Sequence, residues 1–431
     1  MRKLTVKNFS VIKEAELEFG KITVLIGPQA SGKSLLCKLA YFFSKEIIRI
    51  AVQSSNNGLA FDQFKTDVMQ EFIRRFCPSG SISNDVLVEF SSGDHFIRAV
   101  GAIASERDLI DFQFSKSFCD VYCTCQESTP VNRVADISML DRESASWTRF
   151  NRLFFNAAVE SRYIPAGRSF FTDANKGFLA LQNAEIDPLI REFAPEVTWS
   201  PRWKANLYRK TDSGLEQLSR TVKEIVGGEV RMNGNEVNFI DKKGRVLPLS
   251  FLSSGTQELL PLLHVVERWA NLQEHRQLYG VYGLSGGVTK VPPAGKFLVY
   301  LEEPEANIFP STQNQLVRLF AQLSYEPSWD FSWVITTHSP YILSAFNNLI
   351  EAGQAARNNP KLRDEVAKIV PEQYWIKKGD FKAYAIENGE LVSILNRSGF
   401  VEANYLDQVS EVIGDEFDKL LRLEYERTKA S

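Results

Sequence analysis

The sequence predicts an α/β fold with buried strands of the parallel kind, and three observations predict it. Residues 22–26, 297–301 and 333–335 are almost wholly apolar runs, as strands covered on both faces must be. The first run ends at the glycine-rich turn Gly27-Pro28-Gln29-Ala30-Ser31-Gly32-Lys33-Ser34, the second at Glu302-Glu303, and the third leads to His338. Stretches with helical spacing follow: residues 33–50 after the glycine turn, and Leu316, Leu319, Phe320 and Leu323 on one face between the second and third runs.

The remaining elements are read in chain order. Residues 4–9 and 15–19 look like short strands ahead of the 22–26 strand. Residues 86–90 and 96–100 flank Ser91-Ser92-Gly93-Asp94, a hairpin signal. Tyr163-Ile164-Pro165-Ala166-Gly167-Arg168 reads as a strand leaving for a loop, followed by a helical stretch over about 175–195. A second hairpin is expected over 229–240 around Asn233-Gly234-Asn235. Leu247-Pro248-Leu249 then feeds Leu252-Ser253-Ser254-Gly255-Thr256-Gln257 and a helix carrying Leu259, Leu260, Leu263, Val266 and Trp269 in register. Residues 281–295, with four Gly and two Pro, read as a loop. After Pro340 a small strand region is expected over 374–392, then an acidic amphipathic helix through Val409, Val412, Ile413, Phe417, Leu420 and Leu421. The expected division is a core over 1–50, an α+β insertion over 51–150, the rest of the core over 151–345 and an α/β extension over 346–431. No repeat or long heptad run is present.

Composition narrows the class. With 431 residues, 44% hydrophobic, 24% charged and 30 Phe, the chain has the makings of a sizeable folded core. The formal charge of −3 gives no overall field toward nucleic acid or an anionic membrane, so nucleic-acid contact is open only through a local basic patch. Met1 leads into Arg2-Lys3-Leu4 rather than a signal-peptide pattern, and no apolar run reaches membrane-span length. A reducing cytoplasm is expected. Cys119, Cys123 and Cys125 cluster, and read as small buried residues on a strand rather than three quarters of a zinc site.

Residues 27–34 match GxxxxGK[ST] with a strand before and a helix after, the context that makes the match specific. Backbone N–H groups of Gln29 to Ser34 would wrap phosphates, Gly27 and Gly32 would permit close approach, and Pro28 and Ala30 complete the loop. Lys33 would reach the β- and γ-phosphates and Ser34 would be a magnesium ligand. The ligands expected are therefore ATP and Mg2+. Glu302 is the candidate metal carboxylate and Glu303 the candidate general base, because both stand where a buried strand runs out. His338, at the next strand end, is placed to hydrogen-bond the γ-phosphate. Ser253, Ser254 and Gly255 open a helix, an anion-binding arrangement, and Gln257 lies in its first turn. Ser253 comes 220 positions after Lys33 (253 minus 33), so the anion it meets need not be bound to its own chain. Arg168 is a candidate contact to nucleotide or to an opposing subunit, with a surface ion pair as the plainer reading, and Gln113 is a guess for a γ-phosphate-sensing glutamine.

These motifs together resemble those of an ABC-type ATPase of the RecF and OLD-like group. Residues 27–34 resemble its Walker A motif, 252–257 its signature, 297–303 its Walker B motif, and His338 its switch histidine. The resemblance implies a P-loop NTPase with an ABC-type head, a mixed sheet plus a helical lobe, whose heads pair head to tail as a dimer or higher oligomer. Each signature serine would then cap the γ-phosphate held by the other copy. Residues 302–310 also resemble the extended acidic motif of the OLD-like branch, although Asn307 and Phe309 stand where His is frequent and Gln29 replaces a usual Asn. Residues 341–431 contain no DxD, so a fused Toprim nuclease is not expected. The chain then looks like the stand-alone ATPases of antiphage systems of the PARIS and Septu type, which act with a separate Toprim- or HNH-type nuclease or toxin. A RecF-like DNA repair clamp is the alternative. A transporter subunit fits less well, because its signature follows the P-loop lysine much sooner.

Overall fold

The computed structural model describes residues 2–77, 85–102, 109–127, 137–157, 159–173, 186–197, 213–233, 236–279, 281–282, 288–289, 296–326, 329–402 and 405. In chain order, β1 (Arg2–Phe9), β2 (Ile12–Glu18) and β3 (Ile22–Ile26) precede α1 (Lys33–Tyr41), which continues through one π-helical turn into α2 (Ile47–Asn56). Next come α3 (Phe61–Phe76), β4 (Leu87–Ser92), β5 (His95–Ala102), β6 (Leu109–Phe114), α4 (Lys116–Glu127), α5 (Ile137–Phe155), β7 (Val159–Ile164), α6 (Phe170–Asp173) and α7 (Pro188–Val197). The chain continues with α8 (Ser213–Val226), β8 (Gly228–Asn233), β9 (Glu236–Asp241), β10 (Val246–Pro248) and α9 (Ser254–Tyr279). It closes with β11 (Val281–Tyr282), β12 (Val288–Thr289), β13 (Lys296–Glu302), α10 (Pro310–Tyr325), β14 (Phe331–Thr337), α11 (Pro340–Asn358), α12 (Arg363–Ile369), β15 (Phe381–Glu387) and β16 (Glu390–Ser393).

One mixed sheet organises the molecule, in the order β6-β5-β4-β1-β2-β16-β15-β3-β14-β13-β7. Neighbours from β15 through β3, β14 and β13 to β7 are parallel, whereas β1, β2, β4, β5 and β6 pair antiparallel. Alternation along the parallel strands splits the core into two layers. Ile22, Val24, Val299, Leu301, Trp333 and Ile335 face one side, with α9, α10 and α11. Leu25, Leu298, Tyr300 and Val334 face the other, with α1 to α5. A helix–sheet–helix sandwich results, the α/β class expected, with a separate three-stranded sheet β10-β9-β8 beside α8 and α9.

Three features depart from the local reading. The strands β4 to β6, read as part of an insertion, extend the main sheet, because β4 pairs with β1 from Arg2↔Ser92 to Lys7↔Leu87. The tail enters the centre of the sheet: β15 runs parallel to β3 from Phe381↔Ile22 to Ala385↔Ile26, after the long helix α11. Cys119, Cys123 and Cys125 lie on helix α4 rather than on a strand, with Cys125 buried and Cys123 exposed. Of the helix expected over 175–195 only α7 is described. The helix expected through Val409 to Leu421 lies outside the described residues, and the 281–295 loop is described only as the β11–β12 pair.

No described helix is long and apolar enough to cross a membrane.

Candidate nucleotide site

Between β3 and α1 the chain curls through conformations that fix it closely. Gly32 sits at φ 105°, and a Cβ there would come within 2.5 Å of Ile12 Cδ1, so the β1–β2 turn seats directly on the loop. Ala30 also holds φ 59°, a left-handed conformation that costs a non-glycine residue energy. Lys33 is buried, and its Nζ donates to the carbonyl oxygens of Gly27 at 2.8 Å and Pro28 at 2.7 Å. Pro28 and Gln29 are exposed and Ser34 is half-buried in the first turn of α1, while Ser31 Oγ is buried without a partner. Burial lowers the Lys33 ammonium pKa, and the carboxylates of Glu303 and Glu305 oppose that shift. The lysine and both acids therefore share one electrostatic neighbourhood.

The adjoining strands β13 and β14 deliver the acids and the histidine. Glu302 is buried; its Oε2 accepts from the Ala166 N–H at 3.1 Å, and its Oε1 has no partner. After burial itself, the Glu302 charge is the next cause holding the Cys37 thiol well above its ordinary pKa. Cys37 lies three residues after Ser34 on α1, so this carboxylate faces the start of that helix. A buried acceptor oxygen without a donor fits a divalent cation. Ser34 and Glu302 would hold Mg2+, with phosphate and water oxygens completing the shell.

Glu303 ends the strand at φ 42°. Its N–H donates to the Thr336 carbonyl at 2.9 Å, and its carboxylate Oε1 lies 3.5 Å from His338 Nε2. His338 is exposed, and its backbone N–H donates to Glu305 Oε1 at 2.6 Å. Burial raises the Glu305 carboxyl pKa against the opposing pull of that N–H. Next to it, Ser339 Oγ donates to Gln313 Oε1 at 2.5 Å and Gln313 Nε2 to the Ile308 carbonyl at 3.1 Å, tying the histidine turn to the acidic loop.

The serine turn lies on the far flank of that loop. Ser253 caps α9, accepting from the Thr256 N–H at 3.3 Å, and both Ser253 and Ser254 are exposed. A Cβ on Gly255 would meet the Asn307 carbonyl oxygen at 2.5 Å, so the turn rests on the acidic loop of its own chain. Gln257 points its amide nitrogen back to the carbonyls of Leu249 at 3.2 Å and Ser250 at 3.3 Å, bracing the turn rather than presenting that nitrogen to a ligand.

Two sequence readings are corrected. Gln113 lies on β6, the outer edge strand at the opposite end of the antiparallel half, seven positions from β3, and senses nothing in this site. Arg168 is fully buried, so it neither touches a neighbouring subunit nor forms a surface pair. Its guanidinium instead donates to four carbonyls around the site, those of Pro165 at 3.0 Å, Glu302 at 2.6 Å, Glu303 at 2.8 Å and Glu258 at 3.4 Å. Sequence reasoning missed that role and the contribution of Glu305. The only local hint for Arg168 was an arginine directly after a strand-ending Pro-Ala-Gly.

Residues 179–343 match the model of an AAA ATPase domain. That segment spans the serine turn, the acidic strand end and His338, and the glycine loop lies ahead of it. The similarity to an ATPase domain thus covers 165 of the 431 residues. No curated protein gives a match. Among solved structures, the chain is similar to the SMC head domain from Thermotoga maritima at 14% identity and TM-score 0.36, over 91% of this chain and 97% of that one. It is also similar to the Smc head domain with an extended coiled coil, bound to the C-terminal domain of ScpA, from Pyrococcus furiosus, at 13% identity and TM-score 0.37 over 96% and 99%. A third is MJ1267 in its ADP conformation, an ATP-binding cassette of an ABC transporter, at 10% identity and TM-score 0.33 over 96% and 98%.

Proposed function

We propose that this chain is a Mg2+-dependent ATPase whose heads close on ATP and reopen after hydrolysis. The observation that carries the proposal is the meeting of Lys33, Glu302, Glu303, Glu305 and His338 at the ends of three adjacent parallel strands. The loop N–H groups and Lys33 bind and orient the triphosphate. Ser34 and Glu302 would hold Mg2+, which would supply positive charge against the phosphate oxygens. Glu303, partly exposed, takes the proton of the attacking water, and His338 beside it steadies that carboxylate and the γ-phosphate.

Pairing with a second copy is supported by what stands exposed around the site. Ser253 and Ser254 present hydroxyls outward, and Phe251, Phe309 and Tyr341, respectively 79%, 75% and 56% exposed, belong to the serine turn, the acidic loop and the histidine turn. Large apolar side chains next to polar binding groups are what a partner surface covers. The serines of one copy then cap the γ-phosphate held by the other. From the resemblance of its motifs, we assign the resulting change of shape to the control of a separately encoded nuclease or toxin in antiphage defence.

The reading is tested with purified protein. Lys33→Ala abolishes nucleotide binding and turnover; unchanged hydrolysis refutes the site. Ser253→Ala with Ser254→Ala lowers hydrolysis at least tenfold while monomer binding of ATP is retained. Duplex DNA binding that is salt-sensitive and strengthened by ATP would favour a repair clamp over the defence role.

A further inference from the structure

We infer that the buried Arg168–Glu258 pair is a positioning link that makes the geometry of the catalytic strand end depend on the serine-led helix α9. The inference rests on the ATPase reading above and names a regulatory part of the same site.

Arg168 bridges segments that are far apart in sequence. Its backbone N–H donates to Glu258 Oε2 at 3.0 Å, and its Nε lies 3.5 Å from that oxygen and 3.4 Å from the Glu258 carbonyl. On the other side, Nη1 and Nη2 hold the carbonyls of Glu302 and Glu303. Glu258 is buried one turn into α9, four residues after Ser254. A rigid helical turn therefore separates the hydroxyls that would meet a partner's phosphate from the carboxylate that holds Arg168.

The receiving end is sensitive to small shifts. Glu303 sits at φ 42°, a conformation that persists only where the surroundings impose it, and Arg168 grips its carbonyl directly. Movement of α9 pulls Glu258, then Arg168, then the backbone that aims the Glu303 carboxylate. Planar guanidinium geometry suits this task, because one side chain reaches several acceptors in fixed directions. Burial lowers the proton affinity of Arg168, and Glu258 is the largest opposing influence, ahead of Glu305, Glu302 and Glu303. Both ends of the link thus already act on one charge.

The test uses the full chain with Glu258→Gln, Arg168→Met, Arg168→Lys and the double variant Arg168→Met/Glu258→Gln. A fluorescent ATP analogue gives nucleotide affinity, steady-state hydrolysis gives kcat and KM, and thermal melting gives the folded fraction. The link predicts that Glu258→Gln keeps nucleotide affinity within about threefold while kcat per folded molecule falls at least tenfold. It also predicts that the double variant falls no further than the worse single variant, as two parts of one device do, and that Arg168→Lys recovers only part of the loss. A lowered melting temperature with unchanged kcat, losses that multiply in the double variant, or affinity lost in step with kcat overturns it. If Arg168→Met does not fold, Glu258→Gln decides alone. Wild-type protein without ATPase activity sinks the proposed function, whereas active wild type with an equally active Glu258→Gln sinks the link only.

Discussion

Glu303 combines a left-handed backbone, an N–H donated to β14, a carbonyl held by Arg168 and a carboxylate 3.5 Å from His338 Nε2. The residue is thereby fixed from several sides, as the proposed role of general base requires. Glu303→Gln keeps the shape and hydrogen bonding but cannot accept a proton. Turnover is expected to fall by roughly 10²–10⁴ with ATP affinity preserved, and paired heads should accumulate with ATP in analytical ultracentrifugation. Turnover within threefold of wild type would remove Glu303 from the role of base. The placement of Lys33, Ser34, Glu302, Glu303 and His338 just past the ends of neighbouring strands was legible in the sequence, since each ends or follows an apolar run. Arg168 was not, because no local pattern tells a buried arginine serving carbonyls from an exposed one.

At the scale of elements, three of the loops that line the site rest on one another. The serine turn seats on the acidic loop where Gly255 meets Asn307, and the acidic loop is tied to the histidine turn through Gln313 and Ser339. A side chain at position 255 has no room, since the atom it meets is backbone and cannot swing away. Gly255→Ala is therefore expected to shift the serine turn, cutting turnover at least tenfold while the glycine loop still binds nucleotide, as measured by kcat beside analogue binding. Equal loss of binding would show that the two halves of the site are not separable. The helix after the serine turn was legible from its apolar spacing, but its contact with residues 307–308 was not. That contact joins segments some fifty positions apart in a chain read without its fold.

For the whole molecule, the parallel strands are fastened at the end opposite the site. Asp330, just ahead of β14, pairs with Lys21 beside β3 and with Lys296 at the start of β13, the latter at 3.0 Å. Burial raises the Asp330 pKa, but hydrogen bonds and charge from both lysines outweigh it and hold the carboxyl below its ordinary value. The sign follows from linkage. A carboxyl depressed in the folded state adds stability that is present above its unfolded pKa near ~3.9 and lost as pH falls through the folded pKa. Asp330→Asn should therefore melt below wild type at neutral pH, with the gap closing as pH drops below the carboxylate range and narrowing in high salt. A gap that stays constant with pH would assign the loss to packing instead.

The sequence by itself determined the parts whose chemistry is local: a phosphate loop between a buried strand and a helix, acids and a histidine at neighbouring strand ends, and a serine-capped helix. These follow from periodicity and from the few residue types that hold phosphate, metal and proton. Only the tertiary structure decided that the tail supplies β15 beside the P-loop strand, that β4 to β6 extend the same sheet, and that Arg168 is enclosed. Strand order and burial depend on which distant segments compete for the same edge and the same apolar volume, and that competition is settled by the folded chain as a whole.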